Sequence, residues 1–300
     1  MKKVTIIGAN SFIARNVLFE LQNRRESFEI KLYDYSAEQL DGAENYTSIN
    51  MLSKDSVHAL DLDCDVIFMF VGKTGSANGF DDFDLFIDIN EKTLLNLMNE
   101  YRRQNSKAKI VFPSTRLVYK GKPGPQKENA EKEFKSVYAM NKYACEQYLR
   151  QYNRVFDVQY CIFRICIPYG TLIQTKPSYG TVEFMLDKAG KGKNITLYGD
   201  GTVRRTITYM GDLCKILCDG AFQKECINDV YNIGGEDYSL REMAELIADR
   251  YGVGVDFVHW PEVAYKIESG DTVFDDTKLQ RICPVKYRTK FRDWCEREKH

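Results

Sequence analysis

An α/β protein with a doubly wound, mostly parallel sheet and a smaller C-terminal α/β lobe is the architecture this sequence predicts. Three observations predict it. Short β-rich runs alternate with amphipathic helical patterns through the first half of the chain. The opening apolar run Val4-Thr5-Ile6-Ile7 ends at Gly8 and passes directly into a helical pattern. The most apolar run, Cys-Asp-Val-Ile-Phe-Met-Phe-Val at 64–71, has the length of a strand buried on both faces. Alternation of this kind builds βαβ units with right-handed crossovers.

Taken in order, residues 3–8 read as a strand, 12–23 as an amphipathic helix, 29–34 as a second strand and 64–71 as a third. Leu94, Leu95, Leu97 and Met98 recur at helical spacing within 88–103, followed by a strand at 109–113, a helix at 137–152 and a strand at 158–165. After Pro168 the texture changes, with glycine and loop signals from Tyr169 to Gly201 around a helix at 182–191. Helices follow at 210–222 and 240–251, the second opened by Ser239 with Glu242 three residues on, a capping box. The expected division places 1–166, with a returning part of about 205–235, in the first domain. The smaller lobe takes 167–204 and 236–300.

Composition narrows the function. The 300 residues carry 42 basic and 43 acidic side chains, a net charge of -1, so no field favours nucleic acid or an anionic membrane. No run reaches the 18 apolar residues of a membrane span, and the start reads as a strand rather than a secretory signal. Nine cysteines without a CxxC pair read as buried free thiols, which points to a reducing cytosol, and no metal is expected. The run Asp81-Asp82-Phe83-Asp84 reads as a solvated loop entering a helix rather than a cation site. Only three histidines are present, His58, His259 and His300, which disfavours histidine-based catalysis.

The strand–helix junction at Gly8 is where backbone N–H groups can face a pyrophosphate. Gly8, Asn10, Ser11, Phe12 and Ile13 are the candidate cofactor contacts. A full loop has three glycines, and here Ser11 and Ala14 hold the other two positions. Asp34 ends the second strand, 26 residues after Gly8. A carboxylate there accepts hydrogen bonds from ribose hydroxyls and repels a 2′-phosphate, which favours NAD, with NADP as the alternative.

Tyr138 and Lys142 lie four apart in a helical stretch and share a face. An ammonium beside a phenol is expected to lower the phenol pKa toward neutrality, fitting it for proton exchange with a carbinol oxygen during hydride transfer. The strand before this helix ends in Pro113-Ser114-Thr115, whose hydroxyls stand ready for the same oxygen.

In this order the pieces resemble an extended short-chain dehydrogenase/reductase, the NAD-dependent epimerase/dehydratase family that modifies nucleotide sugars. The resemblance is carried over nearly the full length by the Gly8 loop, Asp34, the strand ending at Val71, Asn90 before Thr93, Ser114-Thr115-Arg116-Leu117-Val118-Tyr119, Tyr138 with Lys142, Arg164, Tyr169-Gly170, Leu197-Tyr198-Gly199-Asp200-Gly201, Arg205, Asp212 and Tyr231-Asn232-Ile233-Gly234-Gly235. It implies a Rossmann-type fold. It implies catalysis by Thr115, Tyr138 and Lys142, and cofactor contacts that include Val71 and Asn90 with Tyr138 and Lys142. It also implies substrate contacts from Ser114, Arg116, Tyr169, Arg205 and Asp271, and a homodimer formed through a four-helix bundle.

Departures from the family pattern shape the expected reaction. Arg116 and Leu117 stand where 4,6-dehydratases of the family carry acids after the catalytic threonine, which argues for simple redox at C4: a 4-epimerase or a 4-ketoreductase. Ile167 replaces a common substrate-binding asparagine. Glu268 stands where many members have a second diphosphate arginine and would repel a diphosphate unless Lys266 or another cation compensates. The remaining alternatives are a ketoreductase of a non-nucleotide substrate and a non-catalytic dinucleotide-binding regulator.

Overall fold

The computed structural model describes residues 1–175 and 180–297; His300 lies outside the described residues. Seven parallel strands form the central sheet: β1 (Lys2–Ile7), β2 (Phe28–Asp34), β3 (Tyr46–Ser48), β4 (Val66–Met69), β5 (Lys109–Thr115), β6 (Tyr160–Ile165) and β7 (Asp229–Asn232). Their order across the sheet is β7-β6-β5-β4-β1-β2-β3. The direction of winding therefore reverses between β1 and β4, the switch point where open α/β sheets leave a crevice at their carboxyl ends. The edge strand β3 is absent from the sequence reading because three residues are too few to display a period.

Helices cover both faces. On one side α1 (Phe12–Gln22) presents Val17, Leu18 and Leu21 to a core shared with Leu213 and Leu217 of the helix Met210–Phe222. On the other side α2 (Thr93–Arg103) and α3 (Val137–Phe156) bury Leu94, Leu97, Met98, Cys145 and Leu149 against the sheet. α2 continues a helical run that passes through a wide turn at Asp88–Lys92, where Glu91 accepts hydrogen bonds from Asn141 and Tyr148 of α3. Ser136 caps α3 by accepting from Ala139 N at 3.1 Å, and Asp157 ends it in the left-handed region at φ 56°. The Asp81-Asp82-Phe83-Asp84 run enters a short helix, Phe83–Ile87.

The C-terminal region has its own apolar core, in which Val182, Met185, Ile195, Met243, Ile247, Phe291 and Trp294 meet. The expected capping box of Ser239 and Glu242 is present at the start of the helix Leu240–Tyr251. Within the span 205–235 the chain divides. Arg204–Tyr209 pairs with Ile167–Tyr169 and Glu236–Ser239 in a separate sheet, while Met210–Phe222 packs on α1 and Asp229–Asn232 closes the large sheet as β7.

One buried ion pair ties these parts together. Arg164 of β6 and Glu146 of α3 are both solvent-free and meet in a bidentate pair, Nε to Oε1 at 2.9 Å and Nη2 to Oε2 at 2.6 Å. Ser114 of β5 donates to the same carboxylate at 2.6 Å. Arg164 Nη1 donates to Tyr119 Oη at 2.7 Å and to the Glu128 carbonyl, and Tyr119 donates to Asn232 of β7 at 2.6 Å. Charged groups this deep are tolerated because the pair is bidentate and two further guanidinium donors find Tyr119 and the Glu128 carbonyl. Replacing Glu146 with alanine strands the Arg164 guanidinium without water or anion. Glu146→Ala is expected to cost about 3–5 kcal/mol in urea unfolding; a loss below about 1 kcal/mol would show that the pair does not hold the structure together.

Candidate functional site

The crevice forms where β1 and β4 end side by side. Gly8 adopts φ +82°, and a Cβ on it would stand 2.6 Å from Val71 N and 2.7 Å from the Phe70 carbonyl carbon. Only glycine permits this approach of two backbones. Ser11 sits at the N-cap of α1, and its Oγ is buried with no hydrogen-bond partner among the described residues. An orphaned hydroxyl at a helix N-terminus fits an anion that the chain itself does not supply. Phe12 and Ile13 pack their side chains into the core on this face, leaving their backbone in the loop–helix turn.

Asp34 ends β2 beside this loop. Its carboxylate accepts from Asn10 N at 2.9 Å and Ser36 N at 3.2 Å. The Asn10 side chain bridges to the Glu38 carbonyl and Leu40 N, fixing the loop that borders the carboxylate. Asp34 thus has a defined orientation and retains acceptor capacity at both oxygens. Asn90 is buried and braces the other rim, its amide exchanging hydrogen bonds with Lys73 N and O. Gly72 leaves a cradle here: a Cβ on it would meet Asn90 Oδ1 at 3.3 Å and Lys142 Nζ at 3.7 Å. Together the switch point, the orphaned Ser11 hydroxyl, Asp34 and the Gly72 cradle fit a dinucleotide.

Thr115, Tyr138 and Lys142 are brought together. Thr115 ends β5, and its Oγ1 accepts from Leu117 N at 3.3 Å, turning the chain sharply. The half-buried Tyr138 phenol hydrogen-bonds with the Thr115 hydroxyl, and Lys142, one turn further along α3, donates from Nζ to the Pro113 carbonyl at 2.9 Å. The electrostatics differ from the expected picture. Burial pushes the Tyr138 phenol up to about 12, only partly offset by Thr115, instead of down toward neutrality. The physical reason lies in Lys142: its ammonium is directed to the Pro113 carbonyl, and burial lowers its own pKa to about 8.

Arg116 follows Thr115 into the cleft, half-buried, with Nη1 donating to Ser269 Oγ at 2.8 Å. The other expected substrate contacts are engaged inside the protein. Ser114 is spent on Glu146. Tyr169 is 1% exposed, donates to the Thr289 carbonyl and packs among Tyr209, Phe291 and Trp294, so it is a core residue rather than a wall of the cleft. Asp271 accepts from Arg204 N at 2.8 Å, and its carbonyl accepts from Lys122 N and Gln126 Nε2. Arg205 is also 1% exposed, donating to the Arg204 and Gly270 carbonyls and, at 2.5 Å, to Glu268. The cation that compensates Glu268 is therefore Arg205, since Lys266 pairs with Glu262 one turn back along its own helix. Sequence reading missed Glu146, Ser269 and the role of Gly72. None of the three falls in a local motif.

The lysine offers a test of this electrostatic environment. Lys142 is charged up to about pH 8 in the folded chain and up to its ordinary value, near 10.5, when unfolded. Between those limits the unfolded state binds more protons, so folding gains stability as pH rises. The unfolding free energy of the wild type relative to Lys142→Met is expected to increase from pH 8 to 10.5 in parallel urea titrations. A flat difference would mean that Lys142 is solvated.

The model of the NAD dependent epimerase/dehydratase family matches residues 4–234. A putative UDP-glucose 4-epimerase of Methanocaldococcus jannaschii is 32% identical over 168 residues, 55% of this chain and 54% of that protein, so the match spans about half the relative's length. A UDP-N-acetyl-alpha-D-glucosaminuronate decarboxylase of Bacillus cytotoxicus is 28% identical over 94% of this chain and 92% of its own. The UDP-glucose 4-epimerase of Thermus thermophilus, solved in complex with NAD, superposes with a TM-score of 0.85 at 22% identity, over 98% of this chain and 96% of that one, a likeness of fold. The family match over most of the sequence, on a sheet with its crevice at the expected switch point, establishes that this chain belongs to the NAD-dependent epimerase/dehydratase family.

Proposed function

We propose that the protein is an NAD-dependent enzyme that oxidises or reduces C4 of a nucleotide-diphosphate sugar, as a 4-epimerase or a 4-ketoreductase. The observation that carries this reading is the convergence of Thr115, Tyr138 and Lys142 beside the Gly72 cradle. Residues 1–166 supply the cofactor side. Loop and strand residues from the C-terminal part, Glu268 to Asp271 above all, supply the wall opposite Thr115.

Gly8, Asn10, Ser11, Asp34 and the Asn90–Gly72 rim would hold NAD, with Phe12, Ile13 and Val71 shaping the turn around it. NAD supplies the hydride acceptor and donor for the sugar carbon. The chain's own residues handle the oxygen and its proton. Thr115 donates a hydrogen bond to the C4 oxygen and fixes its position. Tyr138 holds its proton at neutral pH in the protein alone, so it is set to give that proton to a C4 carbonyl oxygen as the C–H bond forms. In the opposite direction the phenolate takes the hydroxyl proton, with Thr115 favouring that charge through its hydrogen bond.

Arg116 and Leu117 directly follow Thr115 and supply no carboxylate to remove a ring proton or expel a hydroxyl, which supports redox at C4 over dehydration. The buried Arg205–Glu268 pair favours one further reading, a ketone substrate without a diphosphate, since Arg205 is already paired with a carboxylate and sealed from solvent. A homodimer is supported by the apolar side chains Phe83, Leu85, Ile87, Met140 and Phe156, which remain exposed on adjoining helices. The nine free thiols suit a reducing cytosol, and no helix of the described residues is long and apolar enough to cross a membrane.

Tyr138→Phe is expected to lower turnover at least ~100-fold with the fold and NAD binding intact. Turnover near the wild-type value would remove Tyr138 from the chemistry. Native mass spectrometry of freshly purified protein separates the two reactions. Near one NAD per subunit is the expected result and marks a retained, self-restored cofactor, as an epimerase needs. A chain that arrives empty and prefers NADPH to NADH overturns the Asp34 reading and favours a ketoreductase.

A further inference from the structure

Two guanidiniums and one carboxylate meet at the wall of the cleft. Arg205 spends three of its five N–H donors on Glu268 and two carbonyls and is sealed from solvent. Arg116 has no anionic partner among the described residues. Its single hydrogen bond goes to a neutral hydroxyl, Ser269 Oγ, and among the described residues no carboxylate lies within 4.0 Å of it. Its surroundings add to the imbalance: Arg205 repels it, Glu268 attracts it from a distance, and burial with that repulsion lowers its pKa to about 10.

The arrangement is built rather than accidental. The 268–271 loop is pressed onto Gly121, where a Cβ would fall 1.7 Å from the Ser269 carbonyl oxygen, and Lys122 N donates to the Asp271 carbonyl. Glu268 Oε1 also accepts from Gly270 N at 2.9 Å, closing the loop on itself. The loop therefore delivers Ser269 to Arg116 and Glu268 to Arg205 as one unit. A half-buried guanidinium with four of its five N–H donors free of protein acceptors has the donors to bind an oxyanion.

We propose that Arg116 binds an oxyanion of the substrate and determines specificity through it. The inference rests on the nucleotide-sugar reading above. A carboxylate on the sugar ring and the diphosphate share the required chemistry, and bidentate geometry suits either. Because Arg116 is bonded directly to Thr115, the ring carboxylate is the source closer to the reacting carbon.

The test measures binding by calorimetry to the NAD-loaded wild type, Arg116→Gln and Arg116→Lys, with melting temperatures checking the fold. The probes are UDP, UDP-glucose, UDP-glucuronate and inorganic pyrophosphate. Weakening by ~10-fold or more in Arg116→Gln for UDP-glucuronate alone assigns the oxyanion to the sugar carboxylate. Equal weakening for all three nucleotides assigns it to the diphosphate. Arg116→Lys is expected to recover part of the loss in either case. Unchanged affinity for every probe overturns the proposal. If the wild type binds none of the three nucleotides, the nucleotide-sugar reading falls by itself. Pyrophosphate then decides the anion site: a ~10-fold loss in Arg116→Gln retains it, and no difference or no binding overturns it.

Discussion

The bidentate pair between Arg164 and Glu146 is the constraint on which the site depends. Glu146 lies one turn beyond Lys142 and two beyond Tyr138 on α3, so the residue that anchors the helix and the residues that face the cleft share one stripe. Through Ser114 the same carboxylate grips the end of β5, next to Thr115. One carboxylate therefore sets the distance between the hydroxyl on the strand and the phenol on the helix. A hydrophobic contact in its place would pack as well but would not fix the axial position of α3, because apolar contacts are non-directional.

The electrostatics of the site follow from burial more than from neighbouring charge. The phenol of Tyr138 rises and the ammonium of Lys142 falls for the same reason, removal from water. Each is kept closer to its neutral form than it would be in solvent. Charge brought by a bound partner acts there in a medium that screens it less than water does.

Much of the architecture was legible because its signals are local. Gly8 at a strand end, Asp34 at the next strand end, and the four-residue spacing of Tyr138 and Lys142 each report on a single element or junction. The capping box at Ser239 is likewise written in four consecutive residues. What escaped reading depends on pairings distant in sequence. Arg205 meets Glu268 across 63 residues and is thereby withdrawn from the cleft. Tyr169 sits in a loop motif but is claimed by an aromatic cluster whose members, Phe291 and Trp294, come from the last helix. The direction of the Ser114 hydroxyl was set by a buried glutamate that no motif announces. The protonation of Tyr138 was misjudged because spacing places the lysine on the right face without saying where its nitrogen points.

The seventh strand braces this design from far along the chain. Thr115, Tyr138 and Lys142 are made well before residues 229–232, yet Tyr119, which hydrogen-bonds Arg164, is held in place by Asn232. Without residues 229–232, β6 would be the edge of the sheet, with one side of its backbone unpaired. The strand at 229–232 acts as a closing seam: the same four residues cap that edge and hold Tyr119. The chemistry carried by residues 115–142 is thus braced by a segment almost ninety residues further along the chain.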